Sequence, residues 1–197
     1  MKRLLLIVLT LALALPASVF AQKSSQPWLS DYISIDGLPR SLGVNMKFQA
    51  PRGWEEVEAR RPHIVKMFKD PGLGYITVLV TENVTFFSRS EFKEMYQEFA
   101  DGARDMILED YPNSNPTILG TDMLLVDKQP FFSCSTRLLM SGYGNQMETY
   151  LKMYYTFFED KVITILGMSP WENYSDLREK LYDTVVCSCV FTDQYSY

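Results

Sequence analysis

Residues 147–158 read METYLKMYYTFF, and the side chains sort into two sets by parity. Met147, Thr149, Leu151, Met153, Tyr155 and Phe157 form one set; Glu148, Tyr150, Lys152, Tyr154 and Thr156 form the other. Successive side chains of a strand point to opposite faces, so this stretch is a strand with two different faces. Gly142 and Gly144 mark a turn before it, and Glu159-Asp160 a tight turn after it. Strand-like runs at 117–126, 131–140 and 161–167 flank it, with no helix-length segment between them. Consecutive antiparallel pairing follows, because parallel neighbours need crossover connections.

Upstream, Val44–Gln49 reads as a strand that stops at Ala50-Pro51-Arg52-Gly53, with Trp54 immediately after. Proline cannot donate to a ladder and glycine permits unusual backbone angles, so Pro51, Gly53 and Trp54 form a structural turn. Two further strands, 63–69 and 74–82, are joined through Asp70-Pro71-Gly72 as a hairpin. Ser88 with Glu91 three residues later has the form of a capping box. Phe92, Met95, Tyr96, Phe99, Ala103, Met106 and Ile107 then recur at helical spacing, predicting one helix through Leu108. A second helix is predicted over 171–186 on the stripe Tyr174, Leu177, Leu181 and Val185, followed by a short strand over 187–192. Strands, helix, strands, helix, strand is the order of an α+β fold: a central antiparallel sheet flanked by helices on both faces.

The N-terminus carries a different message. Lys2 and Arg3 precede an apolar run, Leu4–Leu15, which Pro16 ends; Val19-Phe20-Ala21 then offers a signal-peptidase site. A membrane span needs about 20 apolar residues, and this run is too short. Residues 1–21 are therefore read as a signal peptide, with no stable membrane anchor and an exported product, periplasmic or extracellular and bacterial in character. Residues 22–43 are read as a tail and docking segment, and 44–197 as a single domain. Loss of Lys2 and Arg3 moves the net charge from −5 to −7. Such a chain repels phosphate backbones, so nucleic acid is not an expected partner.

Certain residues, in this order, resemble a family. A strand ending in Phe48-x-x-Pro51-x-Gly53-Trp54 is typical of PsbP-like (Mog/PsbP) proteins, as is the hairpin Tyr154–Ile165. The terminal Cys187-Ser188-Cys189-Val190-Phe191 sits where relatives carry a closing strand. The similarity spans roughly 44–192 and is of the DcrB-type periplasmic kind, without the lipoprotein cysteine. It implies an α/β/α sandwich. It also implies a protein that binds or assembles: family members include photosynthetic accessory subunits, a Ran-binding protein, periplasmic lipoproteins and effector chaperones. The resemblance assigns no functional residue.

The chemistry-bearing residues are sparse. His63 is the only histidine, and no Cys or His spacing supplies a zinc site or a C-x-x-C redox pair. No cofactor is expected. Tyr150, Lys152, Tyr154 and Phe158 form a candidate binding face, since exposed tyrosine is enriched at interfaces; the alternative is that a helix covers it. In an oxidising compartment Cys134 is expected to bridge Cys189, or else Cys187, against the alternative of three buried apolar thiols. The function expected is a non-catalytic accessory protein that binds another envelope or secreted protein. A carrier of a small apolar ligand held between sheet and helices comes second, and a hydrolase third.

Overall fold

A computed structural model of the chain describes residues 27–83, 85, 87–142 and 145–195; the signal segment and Gly144 lie outside them. Seven antiparallel strands form the large sheet in the order β3 (Glu55–Glu56), β4 (Ile64–Lys69), β5 (Tyr75–Glu82), β9 (Lys161–Pro170), β8 (Asn145–Phe158), β7 (Gln129–Gly142) and β6 (Thr117–Val126). A small sheet of β1 (Leu29–Ser34), β2 (Met46–Pro51) and β10 (Val190–Phe191) packs on one face. The helices are α1 (Arg89–Glu94), α2 (Tyr96–Asp110) and α3 (Asp176–Cys187). The fold is α+β and antiparallel, as the sequence predicts, but the strands divide between two sheets.

The Pro-x-Gly-Trp turn makes that division. Trp54 N–H donates to the Pro51 carbonyl, and Gly53 takes a φ of +84°, which a side chain would oppose. The chain thereby leaves β2 in the small sheet and enters β3 at the edge of the large one. The docking segment proves to be part of the fold. β1 pairs antiparallel with β2, and Leu29 and Ile35 are fully buried, so the domain starts well before residue 44.

The parity of 147–158 orders both cores. Rows of paired residues cross the sheet: Met67, Thr77, Leu166, Met153, Cys134 and Thr121 point to one face. Phe68, Ile76, Gly167, Lys152, Ser135 and Gly120 point to the other. The first face carries α1 and α2 over Phe132, Leu151 and Tyr155; the second carries α3 and the small sheet over Val78, Tyr150 and Ile165.

The predicted helices shift in detail. The Ser88–Glu91 capping box forms in full, satisfying two otherwise orphaned N–H groups. The single helix expected to follow is divided at Met95, where ψ is 3°. The second helix begins only at Asp176, capped by Ser175, after a 3-10 turn over Trp171–Asn173. Its buried side is Tyr182, Val185 and Val186, while Leu177, placed on the predicted stripe, is 79% exposed. The rotation has a steric cause. The Tyr182 ring lies on Gly167 of β9 so closely that a Cβ there would stand 2.5 Å from its Cγ.

Gly167→Ala is therefore expected to lower stability by about 1–3 kcal/mol through overpacking against Tyr182. Gly102→Ala, in the α2 interior with open space around its Cβ position, should raise it by about 0.5–1 kcal/mol. Urea unfolding midpoints of the two variants check both signs.

Candidate functional site

The predicted docking face is a core. Tyr150 and Tyr154 are fully buried, and Lys152 and Phe158 are each only 7% exposed. α3 lies across the first three, and Phe158 stacks on Phe191 of the small sheet at 4.9 Å. These four residues correct the expectation of an exposed aromatic surface: the covering-helix alternative holds. Parity alone distinguishes the faces of a strand without saying what packs on each.

Beneath α3 the polar groups around Lys152 and Asp70 satisfy one another. Lys152 Nζ donates to Glu179 Oε1 at 2.8 Å and lies 3.7 Å from Asp183 Oδ1. Ser135 Oγ donates to the same Glu179 oxygen at 2.8 Å, and the Tyr174 hydroxyl to its Oε2 at 3.1 Å. The Tyr154 hydroxyl donates to Asp183 Oδ1 at 2.6 Å. One helical turn before Tyr182, Arg178 pairs with the buried Asp70, which also accepts the Gly74 N–H at 2.7 Å. The Arg178 guanidinium lies over the Trp54 ring at 5.7 Å, and Trp54 meets Tyr182 edge-on at 6.4 Å. The tryptophan of the turn thus anchors α3, a role that its place in the sequence does not disclose.

These pairings settle the protonation of both carboxylates. Burial pushes the Asp70 carboxyl up, but Arg178 and the Gly74 N–H outweigh it and hold it below the usual range. Burial likewise raises Glu179, and Lys152, Ser135 and Tyr174 together bring it below its ordinary value. Neither group is poised as a general acid near neutrality. His63 sits half-buried in the β3–β4 connection, and among the described residues no three His, Cys, Asp or Glu side chains converge to hold a metal.

The expected bridge from Cys134 to Cys189 or Cys187 is absent: all three thiols are free. Cys134 is buried beneath α1 and α2, whereas Cys189 is buried in the core on the opposite side of the sheet. Burial raises both thiols, so each stays protonated and packs as a small apolar side chain. Cys187 ends α3 exposed.

The other face of the sheet is only partly covered. α1 and α2 pack against β6 and β7, above an aromatic cluster in which Phe99 lies 5.9 Å from Phe132 and 5.3 Å from Tyr155. Beyond them β9, β5 and β4 form the floor of an open cleft of about 400 Å³. Half-buried Met67, Leu79, Leu166 and Met168 make that floor, with the buried Thr77 among them. Val57, Arg60 and Arg61 of the β3–β4 connection line it as well, together with Tyr111 and Met140. Sequence reasoning missed this site. Its methionines and leucines look like core positions, and only the short reach of the helix layer leaves them accessible.

This arrangement, a large antiparallel sheet between a two-helix layer and a layer of one helix with a small sheet, is the PsbP/Mog1 fold. Cyanobacterial PsbP (CyanoP) from Synechocystis sp. PCC 6803 is similar, with a TM-score of 0.52 and 16% identity over 81% of this chain and 92% of that one. A Mog1 point mutant is similar with a TM-score of 0.51 and 11% identity over 85% of this chain and 100% of that one. LpqN of Mycobacterium tuberculosis, a protein involved in cell envelope biogenesis, gives a TM-score of 0.49 and 10% identity over 81% and 89%. No protein-family model and no curated protein matches the sequence. At these identities the likeness defines the fold alone.

Depressed carboxylates make stability depend on acid in a definite direction. The unfolded chain takes up protons on Asp70 and Glu179 near their ordinary values of 3.8 and 4.5, the folded chain only at lower pH. Their contribution is full above about pH 5 and is lost as pH falls through the folded values. Urea midpoints should therefore drop below about pH 4.5. An Asp70→Asn, Glu179→Gln double variant should start lower and lose less over the same interval.

Proposed function

We propose that this chain is an exported, non-catalytic binding protein that holds a small apolar ligand in the cleft over β4, β5 and β9. The cleft carries the reading. Its volume of about 400 Å³ falls within the range of small-molecule sites, about 300–1,000 Å³, and its walls are largely aliphatic. Methionine side chains adapt their shape to apolar ligands, and Met67, Met140 and Met168 all line it. Buried acid–base groups that catalysis would need are instead committed to internal pairs around Lys152 and Asp70. Export is supported by the basic start, apolar run and cleavage pattern of residues 1–21.

Docking to another exported protein is a second reading, and it moves to a different surface. Trp28, 55% exposed, and Leu177, 79% exposed, line a shallow cavity with Leu181 between β1 and α3. Such a patch is a recognised mark of interaction sites.

The two readings separate experimentally. Nile red, an uncharged apolar probe, should bind and shift the methyl resonances of Met67, Met140 and Met168, leaving that of the buried Met46 in place. Absence of binding, or shifts elsewhere, would exclude the cleft. If a protein partner is captured by the exported form, Leu177→Arg should abolish capture and leave Nile red binding unchanged; capture that survives the substitution removes the second surface.

A further inference from the structure

The cleft is apolar along its floor and cationic at its rim. Arg60 and Arg61 are the only adjacent pair of basic residues after Lys2-Arg3 in a chain of net charge −5, and both line this cleft. Both are exposed, and neither forms an ion pair with a carboxylate among the described residues. Five other arginine and lysine side chains do pair with carboxylates among the described residues, and Arg178 and Lys152 show how this chain spends a cation on packing. The doublet is not used that way. Glu58 lines the same cleft, so among its charged lining residues two guanidinium groups face one carboxylate.

Local backbone geometry holds the doublet in place. Val57 N–H donates to the Met67 carbonyl, and Ile64 N–H to the Arg61 carbonyl. Ala59 is buried and its carbonyl accepts from Arg40 Nη1 at 2.9 Å. The connection bearing Arg60 and Arg61 is thus tied to β4 and to the segment before β2. Tyr111 lines the cleft too; burial and Asp110 push its hydroxyl up, so it remains a donor near neutrality. Guanidinium groups bind carboxylate and phosphate oxygens through paired N–H donors, which a neutral head group cannot match.

We propose that the ligand is a single-chain amphiphilic anion, its apolar chain on the Met67–Leu166–Met168 floor and its anionic head on Arg60 and Arg61. This rests on the cleft reading above and adds the charge of the ligand. Dodecanoate, dodecyl phosphate and dodecanol share one chain and differ in the head, so they isolate that charge. Below their micelle concentrations, all three are competed against bound Nile red with the full exported protein.

The anions should displace the dye about tenfold more tightly than dodecanol, a difference of about 1.4 kcal/mol. An Arg60→Gln, Arg61→Gln double variant should bring the anions to the dodecanol level and leave dodecanol unchanged. Both side chains are exposed, so the fold should persist, and an unchanged thermal midpoint verifies it. Arg52→Gln, on the turn outside the cleft, controls for net charge and should change nothing. Equal affinity of all three compounds, or an unaltered preference in the double variant, overturns the anion assignment while the apolar cleft stands. Failure of all three to displace the dye from a cleft that binds it overturns a chain-like ligand altogether, and failure of the dye itself removes the underlying reading. Displacement by dodecanoate alone, or by dodecyl phosphate alone, supports the proposal and names the head group.

Discussion

The contact of the Tyr182 ring with Gly167 governs how the protein is assembled. A glycine on β9 lets the ring settle against the sheet, and the Tyr182 hydroxyl donates to the Met168 carbonyl at 2.7 Å. With that side chain seated, the rotation of α3 has no freedom left. Arg178, one turn earlier, reaches Asp70 and Trp54; Glu179 comes over Lys152 and Ser135; Asp183 comes over Tyr154. Val185 and Val186 fill the core beyond, and Leu177 is left outside. Removing one partner from such a buried pair costs about 3–5 kcal/mol, so the helix, the sheet and the Trp54 turn hold one another in register.

The pairing of charged groups on that face contrasts with the open apolar surface of the opposite one. There α1 and α2 reach only part of the seven-stranded sheet, and the aromatic residues beneath them close the core locally. Strands β4, β5 and β9 continue the same apolar face past the edge of the helix layer. An uncovered apolar face is costly in water, at roughly 25 cal/mol per Å². The β3–β4 connection and Tyr111 shelter it without filling it, and a cleft results.

How much of this was legible depends on the kind of information each residue carries. The alternation of 147–158 is local and strong, and both faces of β8 sort as it predicts. Turn residues are equally local: Gly53 takes the positive φ its position demands, and Glu159 turns tightly between β8 and β9 at a φ of 55°. The capping box at Ser88 formed for the same reason. The helix stripe of 171–186 was less faithful, because a few apolar residues fit more than one rotation and only the Gly167 contact chooses. Tyr150, Lys152, Tyr154 and Phe158 were assigned to a surface because a strand face of tyrosines and a lysine reads as amphipathic. Glu179 and Asp183, the acids that let Lys152 lie buried, are about 30 residues away in sequence.

The cysteines and the cleft mark the same boundary. Cys134 and Cys189 each look placed for a bridge, yet the sheet stands between them, and no count of thiols reveals on which side each lies. By itself the sequence determined most of the strands, the turns, the α+β class and the signal-like start, since these follow from parity, backbone constraint and hydropathy within short windows. Only the tertiary structure decided which strand faces are covered, which charges are internal and where apolar surface stays open. Those outcomes depend on residues far apart in the chain meeting across the sheet, and close packing against Gly167 determines which of them meet.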